Sequence, residues 1–142
     1  MNKINLGRVL LGGIVAGIVA DIIDYPIDGM WLAPRWSATL IHLGVATEFS
    51  MNQVLAFDLI GIVGAVVTIW IYAAIRPRFG AGPKTAIYAG LAVWVVGFLL
   101  PNISFMYVAH LYSRHLTLYT TLGDLVGCLL GTLVGAALYK EA

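Results

Sequence analysis

The chain has 142 residues, of which 61% are hydrophobic and only 11% charged, with a formal net charge of +1. A soluble domain carries roughly 25% charged residues, so this chain cannot cover a water-facing surface with polar groups. The absence of any basic run argues against nucleic acid as a partner, and the single cysteine, Cys128, excludes both an intrachain disulfide and a multi-cysteine metal site.

Crossing the hydrocarbon of a bilayer takes about 20 apolar residues as a helix. Four stretches reach that length, at about 6–32, 54–75, 85–108 and 116–139. The expected fold is all-α: an integral membrane four-helix bundle, one transmembrane domain over residues 1–142, with the lipid bilayer as its surroundings. The first stretch follows Lys3 and Arg8 and has Ala20 at a tolerable cleavage position, features shared with signal peptides; it is read as a retained span. Within it Gly13, Gly17, Asp21, Asp24 and Asp28 fall in an arc of about 80°. The glycine pair allows close helix approach, and the acids continue the same packed face. Pro26, between Asp24 and Asp28, removes one backbone hydrogen bond.

Residues 33–53 link the first two spans. Positions 36–49 have apolar residues at helix-like spacing and are expected to lie along the interface. In the second span Asp58, Gly61, Ala65, Thr68 and Tyr72 share a face. The run from Arg76 to Lys84, with Pro77, Gly80, Gly82 and Pro83, is a turn by composition. The third span places Gly90, Gly97, Pro101 and Ser104 on one face, with Asn102 beside them. The fourth does the same with Asp124, Gly127, Gly131 and Gly135. Aromatics gather near the span ends, as an interfacial belt does.

Cytoplasmic ends of membrane helices collect Lys and Arg. Placing the N- and C-termini in the cytoplasm puts Lys3, Arg8, Arg76, Arg78, Lys84 and Lys140 inside and leaves only Arg35 and Arg114 outside. The same assignment sends Glu48, all five aspartates and the three histidines to the outer half. The sequence also repeats itself. Asp58-Leu59-Ile60-Gly61 matches Asp124-Leu125-Val126-Gly127, and spans one and three each pair early glycines with a late proline. This reads as two parallel-repeat helical hairpins, with Asp58 and Asp124 pseudo-equivalent.

A carboxylate in hydrocarbon costs several kcal/mol unless it is protonated, paired or hydrated, so its default reading is functional. Arg35 and Arg114 can neutralise at most two of the outer acids. Asp28, close to the interface, has water as its simplest partner. Asp21, Asp24, Asp58 and Asp124 remain as the candidate site, expected to bind a cation or relay protons. An all-oxygen set suits a divalent cation such as Ca²⁺ or Mg²⁺, and adding His110 or His115 would favour a transition metal. No sequence context marks a nucleophile or a phosphate loop, so the chain does not read as an enzyme. The alternative is an accessory or assembly subunit of a larger membrane complex, or a homo-oligomer, whose partner meets these acids.

The opening Ile4-Asn5-Leu6-Gly7-Arg8-Val9-Leu10-Leu11-Gly12-Gly13, followed by Ala16-Gly17, resembles the start of small, uncharacterised bacterial four-helix membrane proteins. The resemblance covers about the first thirty residues. It implies a multi-pass protein of the bacterial inner membrane and carries over no function.

Overall fold

Polar caps set where the helices begin. In the computed structural model, which describes residues 3–141, the Asn5 side chain accepts from the Arg8 amide at 3.1 Å and opens α1, Leu6–Asp24. The chain continues without a break into a π-helical segment, Tyr25–Trp31, and after Leu32 into α2, Ala33–His42. Ser50 and Gln53 form a reciprocal capping box at the head of α3, Met51–Phe79. Two glycines in the left-handed half of backbone space, Gly80 (φ 85°) and Gly82 (φ 126°), make the turn into α4, Pro83–Trp94. A second π segment, Val95–Leu99, leads into α5, Leu100–Tyr107. Ser113 accepts from the Leu116 amide at 3.2 Å and opens α6, Arg114–Leu138.

Four stretches are long and apolar enough to cross a membrane: Leu6–Trp31, Met51–Phe79, Pro83–Tyr107 and Arg114–Leu138. The second outruns its expected 54–75 at both ends. The Ser50 box extends it backward. Pro77 does not stop it, because proline's fixed φ is helical and the turn is left to Gly80. The interfacial segment is shorter than expected: α2 ends at His42, and residues 43–50 are exposed.

α1 lies between α3 and α6, and α4 packs on α6 and α3. Residue size explains the arrangement. α6 carries Gly123, Gly127, Gly131 and Gly135 at four-residue intervals, all buried, and the ladder faces α1. A methyl on Gly131 would stand 2.5 Å from the Ala16 carbonyl oxygen, and one on Gly12 would stand 2.6 Å from that of Gly135. On its other side α1 presents Gly13 and Gly17 to Val66 and Ile62 of α3. Backbone therefore meets backbone along most of α1.

The interior holds small residues and threonines, with Thr68, Thr85, Thr117, Thr120, Thr121 and Thr132 all buried. Large aliphatics face outward, and on α6 Leu118, Leu122, Val126, Leu130 and Val134 form a continuous exposed stripe. A soluble bundle sorts side chains the other way round. The apolar core, including Val9, Ile69, Ala73, Ala86, Ala89 and Ala136, fills the half of the bundle that holds the termini. That end also carries Arg8, Arg76, Arg78, Lys84 and Lys140, and the aspartates lie in the other half.

The ladder makes a sharp prediction. Gly131→Val should lower unfolding stability in detergent by about 1–3 kcal/mol, as overpacking against backbone does. Gly64→Val, where nothing lies within 4 Å of the added carbon, should leave the denaturation midpoint at its wild-type value.

Candidate functional site

α1 delivers its carboxylates to two different neighbours. Asp24 lies against Gly127, so close that a methyl there would sit 2.6 Å from Asp24 Oδ1. Asp28, one turn on, reaches α6 beside Gly123. Asp21, about 60° round the helix from Asp24, faces α3 instead, near Gly61 and within electrostatic range of Asp58. The carboxylates thus lie along two seams: Asp24, Asp28 and Asp124 at α1–α6, and Asp21 with Asp58 at α1–α3. The seams are not isolated, because Asp21 remains within electrostatic range of Asp24.

Asp28 is the best-bonded acid. Its Oδ1 accepts from Trp36 Nε1 at 2.8 Å and from the Thr120 hydroxyl. Sequence reasoning set it aside as simply hydrated. The π segment instead carries it inward, under α2. Asp124 Oδ2 accepts from Asn102 Nδ2 at 3.4 Å, and the same amide donates to Thr121 Oγ1 at 3.0 Å. Trp94 Nε1 donates to the Thr121 carbonyl at 2.9 Å and ties the third span to this layer. Asp24 has no such support. Its Oδ1 is enclosed and has no hydrogen-bond donor.

Asp58 and Asp124, the expected symmetric pair, have separate partners. α3 is uncovered toward its Met51 end, where Phe57 and Ile60 are 77% and 71% exposed. Asp58 therefore remains half-buried at the edge. Among the described residues, neither Arg35 nor Arg114 pairs with an acid. Arg35 lies over the Trp31 ring at 5.9 Å, and the ion pair among the described residues is Arg76–Glu141 at 3.7 Å, at the opposite end.

The expected metal set of Asp21, Asp24, Asp58 and Asp124, extended by His110 or His115, is not assembled. Among the described residues no three His, Cys, Asp or Glu side chains converge on one ion position. The histidines stay outside: His110 is an exposed loop residue at φ 53°, and His115 is exposed and stacks on Tyr119 at 6.5 Å.

Four bonded partners escaped sequence reasoning. Trp36 was grouped with the aromatic belt, and Asn102 was placed only beside its helix face. Thr120 and Thr121 were not considered, although Thr120, Asp124 and Gly127 follow helical spacing. The π segment explains Asn102. Its wider turns shift the face that follows, so Asn102 points to α6 while Gly97 and Ser104 are exposed.

Compared with known proteins, the chain matches no family model, no curated protein and no solved structure.

The two acids of the seam should respond oppositely to substitution. Asp28→Ala strips partners from the Trp36 indole and the Thr120 hydroxyl and should cost about 2 kcal/mol. Asp24→Asn removes an unpaired charge beside like charges and should raise stability by about 1 kcal/mol. Thermal unfolding at neutral pH in one detergent measures both.

Proposed function

We propose that this chain is a multi-pass protein of the bacterial inner membrane that binds and releases protons at the Asp24–Asp28–Asp124 cluster. The observation that carries the reading is the enclosed Asp24 oxygen. It has no donor, and two further carboxylates stand close by. Such a group needs a counter-charge in an apolar bundle. A divalent ion wants six or more oxygens in a shared shell. A proton needs no shell and fits the space between Asp24 and Gly127.

We place both termini in the cytoplasm on the basic residues of their end, which puts the cluster on the outer side. The two hairpins we take as a parallel repeat. Beyond the matching Asp-Leu-Ile/Val-Gly segments, spans one and three each carry a π segment with a proline in or just after it. Toward the basic end from the cluster lie the apolar core and, one turn along α1, Asp21. The reading is proton uptake from the outer side that changes packing at the α1–α6 seam.

A pH-jump infrared difference spectrum of the reconstituted protein tests it. A protonated-carboxyl band should appear on acidification, and Asp24→Asn with Asp124→Asn should remove most of it. A spectrum unchanged by the double substitution would defeat the proposal.

A second reading, as accessory subunit or homo-oligomer, has one observation in its favour. Gly61 and Gly64 on the uncovered part of α3 are exposed, and an added methyl meets nothing at Gly64. Small residues on an uncovered membrane helix suit a close helix partner. Gentle solubilisation should then yield a stoichiometric partner that Gly64→Leu releases.

A further inference from the structure

At the basic end, α3, α4 and α6 leave a cavity of ≈ 260 Å³ between them. It runs from the Gly82 turn past Ala86 to Leu133, with Ala137 on its edge and Tyr72 and Tyr139 in its wall. Most of its lining is apolar, and lysines follow two of its lining residues in the chain, Lys84 after Pro83 and Lys140 after Tyr139.

Tyr72 and Tyr139 are 3% and 5% exposed, their rings packed edge to face at 5.9 Å. Both hydroxyls act as acceptors: Tyr72 takes the Gly82 amide at 3.2 Å, and Tyr139 takes the Asn5 amide at 3.3 Å. Each keeps a proton to donate, and neither has an acceptor among the described residues. α4 begins at this point with Pro83, which has no N–H, and Gly82 gives no side-chain cap, so the Lys84 and Thr85 amides of the first turn need acceptors. The Arg76 guanidinium stacks on Tyr139 at 5.4 Å, and its Nη1 stands 3.7 Å from the Glu141 carboxylate. Lys84 and Lys140 are exposed, the Lys84 ammonium 5.9 Å from the Tyr88 ring.

An apolar slot with hydroxyl donors in its wall, a helix start at its end and exposed lysines next to its lining residues matches one kind of occupant. We propose that it binds an anionic phospholipid of the bilayer. The phosphate lies at the Gly82–Pro83 helix start between Lys84 and Lys140, and one acyl chain enters the cavity toward Leu133. Basic pockets between membrane helices take lipid headgroups in this way. The proposal rests on the membrane reading of the chain but not on the carboxylate cluster at the far end.

The test uses the purified full chain in a nonionic detergent. Phosphatidylglycerol, phosphatidylcholine or inorganic phosphate is added, and thermal unfolding is followed. Phosphatidylglycerol at ten times its Kd should raise the midpoint by about 4 °C. Phosphatidylcholine and inorganic phosphate should shift it by less than about 1 °C. The phosphatidylglycerol shift should vanish in Lys84→Gln/Lys140→Gln, which removes the cations, and in Ala137→Trp, which fills the cavity from its exposed edge. Each variant is referred to its own lipid-free midpoint. Native mass spectrometry of the unsubstituted chain, expected to retain one phosphatidylglycerol, keeps the test open if a variant fails to fold. Equal shifts from both lipids, a full shift from inorganic phosphate, or a shift that survives both variants would overturn the proposal. Asp24→Asn/Asp124→Asn should leave the lipid shift intact, which separates this site from the proton-binding one. Retention in membranes washed with alkaline carbonate checks the membrane reading by itself.

Discussion

The structure depends on the bare face of α6. Four glycines at four-residue intervals let α1 approach until backbone touches backbone at Gly12–Gly135 and Ala16–Gly131. In a lipid-like surrounding no hydrophobic force draws helices together, and close packing must do so. The same ladder that joins the helices at their basic end also receives a carboxylate. At Gly127 the absent side chain leaves room for Asp24. Alanine there would collide with its Oδ1. Helix association and the placement of the charge are thus one geometric fact, and the second cannot be altered without straining the first.

That coupling gives the charged end its character. Asp28 and Asp124 are held by named donors: Trp36 and Thr120 for one, Asn102 for the other. Asp24 is held only by shape. A group kept in place by packing, and not by donors, changes its charge without breaking a hydrogen bond. It does change the repulsion between itself and its two neighbours, across the seam that holds the bundle together. A stability penalty concentrated at one carboxylate is what a site under functional constraint looks like. At the other end the charges are resolved locally: Arg76 meets Glu141 and the Tyr139 ring, and the apolar core closes the interior.

Much of this was legible in the residues. Hydropathy and length gave the four spans, and the Asp124-Gly127-Gly131-Gly135 spacing gave the buried face of α6. Two physical effects limited the rest. The first is the π turn. Reading α-helical periodicity through Val95–Leu99 put Gly97, Pro101 and Ser104 on the packed face, whereas the wider turn brings in Asn102. Single-sequence patterning does not announce where a helix widens. The second is dual use of aromatic residues. Trp36 has the look of an interfacial residue, and its ring does pack on Tyr112, but its N–H is spent on Asp28. Composition cannot tell which end of an amphipathic ring is decisive.

The remaining discrepancy, one expected acidic site against two observed groups, follows from how narrow an arc a helix needs to serve two partners. Asp21 and Asp24 are about 60° apart on α1. On an isolated helix that is a single face, and the sequence was read that way. α1, however, lies in the crease between α3 and α6, with Gly13 and Gly17 turned to one and Gly12 and Ala16 to the other. A difference of 60° about the axis of such a wedge is enough to send neighbouring side chains to opposite seams. Asp21 lies against Gly61 of α3 and Asp24 against Gly127 of α6, although the two remain within electrostatic range of each other. An arc computed from spacing therefore fixes which residues lie together on a helix. Whether they also lie together in space depends on whether that helix meets one neighbour or is shared by two.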